Sequence, residues 1–152
     1  MRVLLAVLLL AFAPPALAGT PRERLVVDTA WLAKRLADPD LVILQVGDKP
    51  AYDKGHIPGA RLVNLADVAA PPGGPDPLTL ELPEPEALRA RLAALGVTDR
   101  SRIVVYPTRD IQSATRVMFT LDAAGLGRRT RLLEGGLGAW IAEGRPTSTE
   151  AP

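Results

Sequence analysis

Apolar and polar positions fall in blocks along this chain, and the blocks carry two different periods. Leu25-Val26-Val27 is a short apolar run, followed by Asp28 or Thr29 as a helix cap and by Trp31, Leu32 and Leu36 on one helical face. Leu41 to Val46 is almost continuously apolar, as a parallel strand covered on both faces would be, and it ends in the turn residues Gly47-Asp48-Lys49-Pro50. Leu62 to Leu65 reads as another short strand. From Ala69 to Pro85 prolines and glycines dominate, which predicts an extended surface loop. Pro85 then opens a helix with Leu88, Leu92 and Leu95 in a stripe and Gly96 at its end. Arg102 to Tyr106 is a strand. About Ser113 to Ala124 is a helix with Ala114, Val117, Leu121 and Ala124 on one side, closed by Gly125. Arg131 to Leu133 is a further strand, Gly135-Gly136 a tight turn, and Leu137 to Glu143 a last short helix stopped by Gly144 and Pro146. Strands separated by helices require crossover connections. The expected class is therefore α/β: a single domain on a mostly parallel central sheet, with helices on both faces.

The first residues follow another rule. Arg2 precedes the apolar run Val3 to Ala13, then Pro14-Pro15, then Ala16-Leu17-Ala18. A basic start, an apolar stretch, a helix breaker and an A-x-A cleavage site together form a secretory leader. A membrane anchor is the weaker reading, because a span needs about 20 apolar residues. The expected organisation is a leader at residues 1–18, a domain at 19–146 and a small, polar, flexible tail at 147–152. The product is expected to be exported, periplasmic or secreted, without stable membrane insertion once the leader is removed.

Composition then removes whole classes of chemistry. Of 152 residues 47% are hydrophobic and 23% charged, enough apolar material for one core. Lys and Arg number 18 against 17 Asp and Glu, and losing Arg2 with the leader evens the count. A balanced chain lacks the cationic excess that captures nucleic acid. The local cluster Arg128, Arg129 and Arg131 reads as a solvated connection between helix and strand. There is no cysteine. Thiol catalysis, thiolate metal sites and disulfides are excluded, and no metal or cofactor is expected.

In sheets of this kind, ligands sit beyond the carboxyl ends of the strands, where helix starts present N–H groups. Residues 107–112 occupy that place between a central strand and a helix. Two further stretches, YDKGHIPGA (Tyr52 to Ala60) and LLEGGLGAW (Leu132 to Trp140), flank the VVY of the central strand in sequence. In order and spacing they resemble the two signatures of the rhodanese family of sulfurtransferases, over about residues 25–146. The residues carrying that resemblance are Tyr52, Gly55, His56, Pro58, Gly59, Gly135, Gly136 and Trp140. Gly55, Pro58 and Gly59 permit a sharp chain path. His56, the only histidine, is expected to hold that turn by hydrogen bonding rather than act as a general base. Trp31 and Trp140 are expected to be core aromatics.

The resemblance implies a cysteine immediately after the VVY-like strand, which in active members carries sulfur as a persulfide. Pro107 stands there, supplying no nucleophile and no N–H. The acid-x-base pair that the family places after the second strand falls on Gln45 and Gly47. With Ala114, Thr115 and Arg116 opening the helix, the chain is more similar to the non-catalytic first half of two-domain members. Three functions follow as expectations. The first is an exported domain without sulfurtransferase activity that serves as a binding or interaction module. The second is the non-catalytic half or subunit of a thiosulfate-type sulfurtransferase, partnered by a catalytic rhodanese domain or another exported protein. The third is a hydrolase using a hydroxyl. A Ser113, His56, Asp110 triad can be written for it, but nothing in the spacing supports one. Thr108, Arg109, Gln112 and Ser113 are the candidate cradle for a small oxyanion such as thiosulfate or sulfate, the alternative being that Arg109 and Asp110 are a solvent-exposed pair.

Overall fold

The computed structural model describes residues 21–73 and 79–152; the leader expected at residues 1–18 lies outside the described residues. Five strands, β1 (Val26–Val27), β2 (Leu41–Val46), β3 (Ala60–Val63), β4 (Arg102–Pro107) and β5 (Thr130–Leu133), form one sheet in the order β1-β5-β4-β2-β3. Every pairing is parallel, as the long apolar runs predict. The described residues also form six α-helices, α1 (Pro21–Leu25), α2 (Thr29–Ala33), α3 (Lys49–Lys54), α4 (Pro85–Ala94), α5 (Ile111–Ala123) and α6 (Gly136–Ala142), of which α2 to α5 connect successive strands. Among the described residues no helix is long and apolar enough to cross a membrane.

The period of two along the strands divides the core into two layers. Leu44, Val46, Ile103 and Val105 point to one face and pack under Leu88 and Leu92 of α4 and Ala114, Val117 and Leu121 of α5. Ile43, Val104, Tyr106 and Leu133 point to the other, beneath Leu32 of α2, Ile57 and Trp140 of α6. The α/β class with helices on both faces is therefore as the sequence pattern implies.

Local chemistry explains where element boundaries depart from that pattern. Asp28, Asp48 and Asp110 each stand before a helix and accept a hydrogen bond from the N–H three residues on, at 2.6 Å from Trp31, 2.9 Å from Ala51 and 2.9 Å from Ser113. Capping by Asp48 turns the expected Gly47-Asp48-Lys49-Pro50 turn into the start of α3, where Pro50 sits in the first turn and its missing N–H is harmless. Capping by Asp110 starts α5 at Ile111, earlier than the expected Ser113. The strand expected at 62–65 lies at 60–63, registered against Ile43 to Val46. Helix α2 closes at Ala33, which leaves Leu36 beyond it and 37% exposed.

Two expectations about side chains change with tertiary structure. Trp140 is 1% exposed, but Trp31 is only partly buried: it packs on the core edge with the Arg35 guanidinium 4.1 Å and the Arg131 guanidinium 5.4 Å from its ring centre. Arg131 is thus a strand residue covering an indole, while Arg128 and Arg129 lie exposed in a short 3-10 turn. The first part of the tail expected at 147–152 makes contact with the domain. Ser148 pairs antiparallel with His56, donating to its carbonyl at 2.8 Å and accepting from its N–H at 2.9 Å.

Candidate functional site

Parallel pairing of β2 with β4 puts Gln45 beside Tyr106 and Val46 beside Pro107, so the ends of two central strands open onto one hollow. It has a volume of about 260 Å³ and lies between Gly47, Asp48, Leu65, Thr108, Arg109 and Ser113. The segment expected as a loop at 107–112 contributes only Thr108, Arg109 and Asp110 as loop residues; Pro107 ends β4, and Gln112 and Ser113 belong to the first turn of α5. Gln112 is exposed. A larger groove, about 440 Å³, lies away from the strand ends between α4 and the C-terminal end of α5.

A buried polar chain supports the floor of the hollow. The Tyr106 hydroxyl donates to Gln45 Oε1 at 2.7 Å and accepts from the Ile57 N–H at 3.1 Å, and Gln45 Nε2 donates to Thr108 Oγ1 at 3.2 Å. Gln45 and Tyr106 are fully buried, and no buried side-chain polar atom among the described residues lacks a partner. Burial pushes the Tyr106 hydroxyl far above the usual tyrosine range, and burial likewise raises Tyr52, with help from the nearby Asp53 charge. A tyrosine held protonated in the folded state keeps a proton that the unfolded chain releases above about pH 10, so stability is present below that pH and falls as pH climbs beyond it. Alkaline denaturation followed by circular dichroism is expected to show that decline, with tyrosinate absorbance appearing together with unfolding rather than before it.

Gly47 is fixed by close approach. A Cβ at this position would lie 2.0 Å from Thr108 Oγ1, so any side chain there must displace the threonine. Gly47→Ala is expected to destabilise the domain by about 1–3 kcal/mol. Adding Thr108→Ala should return part of that loss in urea denaturation, and a double variant no more stable than Gly47→Ala would contradict the steric cause. Beyond the end of β4, Gly135 has φ +69° and the buried Gly136 φ +53°, the missing Cβ of Gly136 lying 3.6 Å from the Pro107 carbonyl oxygen. The glycine pair thereby lets α6 start against the end of β4.

The charges at the rim pair with one another. Arg109 Nη2 lies 3.1 Å from Asp48 Oδ2, so the expected Arg109–Asp110 pair is replaced by a partner that sequence distance hid. Asp110 spends its carboxylate on the Ser113 N–H, and Ser113 Oγ donates to the Asp110 carbonyl at 2.8 Å. The position where an oxyanion would meet the start of α5 thus already holds a carboxylate. Among the described residues, neither the Thr108 nor the Ser113 hydroxyl hydrogen-bonds to a carboxylate or an imidazole. His56 is fully buried, with Nδ1 3.0 Å from the Tyr52 carbonyl and Nε2 3.0 Å from the Glu150 carbonyl, so the Ser113, His56, Asp110 triad is not assembled. Tyr52 stacks on the His56 ring at 3.8 Å, and Pro58 and Gly59 carry the chain from there into β3. The Gln45–Tyr106–Thr108 chain was the feature that pattern reading missed; its signal was a lone polar residue inside the apolar run of β2.

A persulfide-type site needs a thiolate where Pro107 stands. The pattern of the Rhodanese-like domain matches residues 28–143. The chain belongs to the rhodanese-like domain family. It is similar to the thiosulfate sulfurtransferase of Azotobacter vinelandii, 37% identical over 128 residues that make up 84% of this chain and 46% of that protein. The thiosulfate sulfurtransferase of Pseudomonas aeruginosa is 34% identical, again over 84% of this chain and 46% of its own length. Among solved structures, the 3-mercaptopyruvate sulfotransferase SseA from Escherichia coli superposes with a TM-score of 0.70 at 26% identity, covering 84% of this chain and 52% of that one. The chain therefore spans less than half the length of these curated relatives. Rhodanese-like architecture is present, and the absence of any cysteine from its 152 residues fits a non-catalytic domain of the sulfurtransferase family.

Proposed function

We propose that this rhodanese-like domain is an exported, non-catalytic binding or interaction module. One observation carries the reading: the residue that closes β4, directly before Thr108 of the hollow, is Pro107, in a chain without a sulfur nucleophile. Rim charges that pair with one another favour a surface that docks over one that turns over substrate. The A-x-A pattern ending at Ala18 supports export, and intact-mass measurement of exported material is expected to place the new N-terminus at Gly19. Purified protein incubated with thiosulfate and cyanide is expected to yield no thiocyanate. Turnover that persists through repurification and scales with protein concentration would overturn the proposal.

A second reading is favoured by the coverage of the relatives. A chain matching 46% of the Azotobacter vinelandii sulfurtransferase has the extent of a half enzyme, whose cysteine would lie on a partner domain. Mixing this protein with a separately purified cysteine-bearing rhodanese-like domain encoded beside it separates the two readings. A rise in thiosulfate-dependent transfer on mixing supports the half enzyme, and an unchanged rate supports the stand-alone module.

A further inference from the structure

We propose that Arg35, Trp31 and Arg131 together form a docking site for an acidic polypeptide segment. The proposal rests on reading this domain as a binding module and names the surface and the partner chemistry. Two elements build the cluster. Trp31 lies in α2, and Arg35 follows one turn later; its Nη1 donates to the Trp31 carbonyl at 3.1 Å, and its guanidinium lies over the indole, 4.1 Å from the ring centre. Arg131 comes from β5, and its guanidinium lies over the same ring at 5.4 Å. Two cations are thereby brought to one part-buried aromatic. The ring attracts each of them but leaves their charge and mutual repulsion in place. A carboxylate shared between them would remove both. Among the described residues neither guanidinium pairs with one.

The acids closest in sequence to the cluster are already committed. Asp28 caps α2 by accepting the Trp31 N–H at 2.6 Å, and Asp38 pairs with Arg102 at 2.7 Å. Asp40 and Asp99 form no ion pair among the described residues. Arg128 and Arg129 widen the cationic surface, exposed in the 3-10 turn that leads into β5, and Arg129 Nη1 donates to the Arg100 carbonyl at 3.4 Å. The chain as a whole is nearly balanced, so these carboxylate-free arginines are a local feature rather than a general excess. A part-exposed indole framed by guanidiniums is the composition of energetic anchors at protein interfaces, and each guanidinium fork matches a carboxylate with two parallel N–H donors. Nucleic acid fits less well, because guanidiniums lie over the ring where a base would stack. A bilayer fits less well too, because the ring packs on the core edge and is not free to enter the lipid interface.

Calorimetric titration of the full chain with a capped hexaglutamate peptide at low salt tests the proposal. Saturable binding is expected, weakening as salt is added, with Trp31 emission changing along the same curve while Trp140, in the core, contributes a constant background. Arg35→Gln and Arg131→Gln should each weaken binding about tenfold, the size of one lost charge-assisted contact. Arg89→Gln removes the same charge from α4, on the opposite face of the sheet, and should change the affinity less than about twofold. Circular dichroism checks that each variant is folded, and if Arg131→Gln is not, Arg35→Gln decides. Absence of saturable binding overturns the proposal. So does peptide binding that leaves Trp31 emission unmoved, and so does an Arg89→Gln loss equal to that of the cluster variants. Phosphatidylglycerol vesicles that bind through Arg35 and Arg131 more tightly than the peptide would overturn it in favour of a lipid surface. Every one of these outcomes is read without sulfur transfer, so failure here and failure of the non-catalytic reading are separate results.

Discussion

Trp140→Ala is expected to destabilise the domain by about 3–5 kcal/mol, the range for removing a large aromatic from a packed core. Its indole, carried by α6, is 1% exposed and packs with Val104, Tyr106 and Leu133, so its loss leaves a cavity against the central strands rather than a surface dent. The same substitution removes the donor that holds the Pro146 carbonyl at 2.7 Å and so loosens the root of the segment that reaches His56. Urea denaturation, with Trp31 left as the fluorescent reporter, should show a lower midpoint at an unchanged slope. Trp31→Ala is the control. That ring is part-exposed, its neighbours are the two arginines, and its removal should have a clearly smaller effect. Equal losses from the two tryptophans would contradict the assignment of Trp140 to the core and Trp31 to its edge.

Gln45→Leu is the second large effect, expected at about 1–3 kcal/mol despite the gain in apolar surface. Leucine fits the burial of β2 but leaves the Tyr106 hydroxyl, which donates to Gln45 Oε1 at 2.7 Å, without an acceptor in a site closed to water. Tyr106→Phe alone orphans the Gln45 oxygen and the Ile57 N–H instead. The two changes share one hydrogen bond, so the double variant should lose less than the sum of the single ones, and a double-mutant cycle measures the difference. Strict additivity would show that Gln45 and Tyr106 stabilise the strand ends independently. Where active relatives are expected to place an acid, this chain has a neutral amide that serves the tyrosine and Thr108, and the rim no longer offers an uncommitted charge pair.

Much of the fold was legible because burial leaves a local trace. The continuous run Leu41 to Val46 can only be a strand covered on both faces, and the helical stripe through Ala114, Val117 and Leu121 marks the side of α5 that meets the sheet. The boundaries that shifted, at α3 and α5, did so at aspartates, because a cap is a decision of one side chain that apolar periodicity does not register. The short turn before α3 was misread for a related reason: Pro50 breaks a helix from within but is at home in its first turn.

The amino-acid sequence by itself determined three things about this protein: a parallel α/β domain, the motif pair of the rhodanese-like family, and a chain with no thiol to carry sulfur. Each is a property of residue identity or of spacing within one element, and so survives without knowledge of any distant contact. Tertiary structure alone decided that Arg109 meets Asp48, that Thr108 closes over Gly47 and takes a hydrogen bond from Gln45, and that the chain end returns to His56. Those pairs join segments far apart in the chain. Their geometry comes from the register of β2 against β4 and from the path after α6, which no local periodicity encodes.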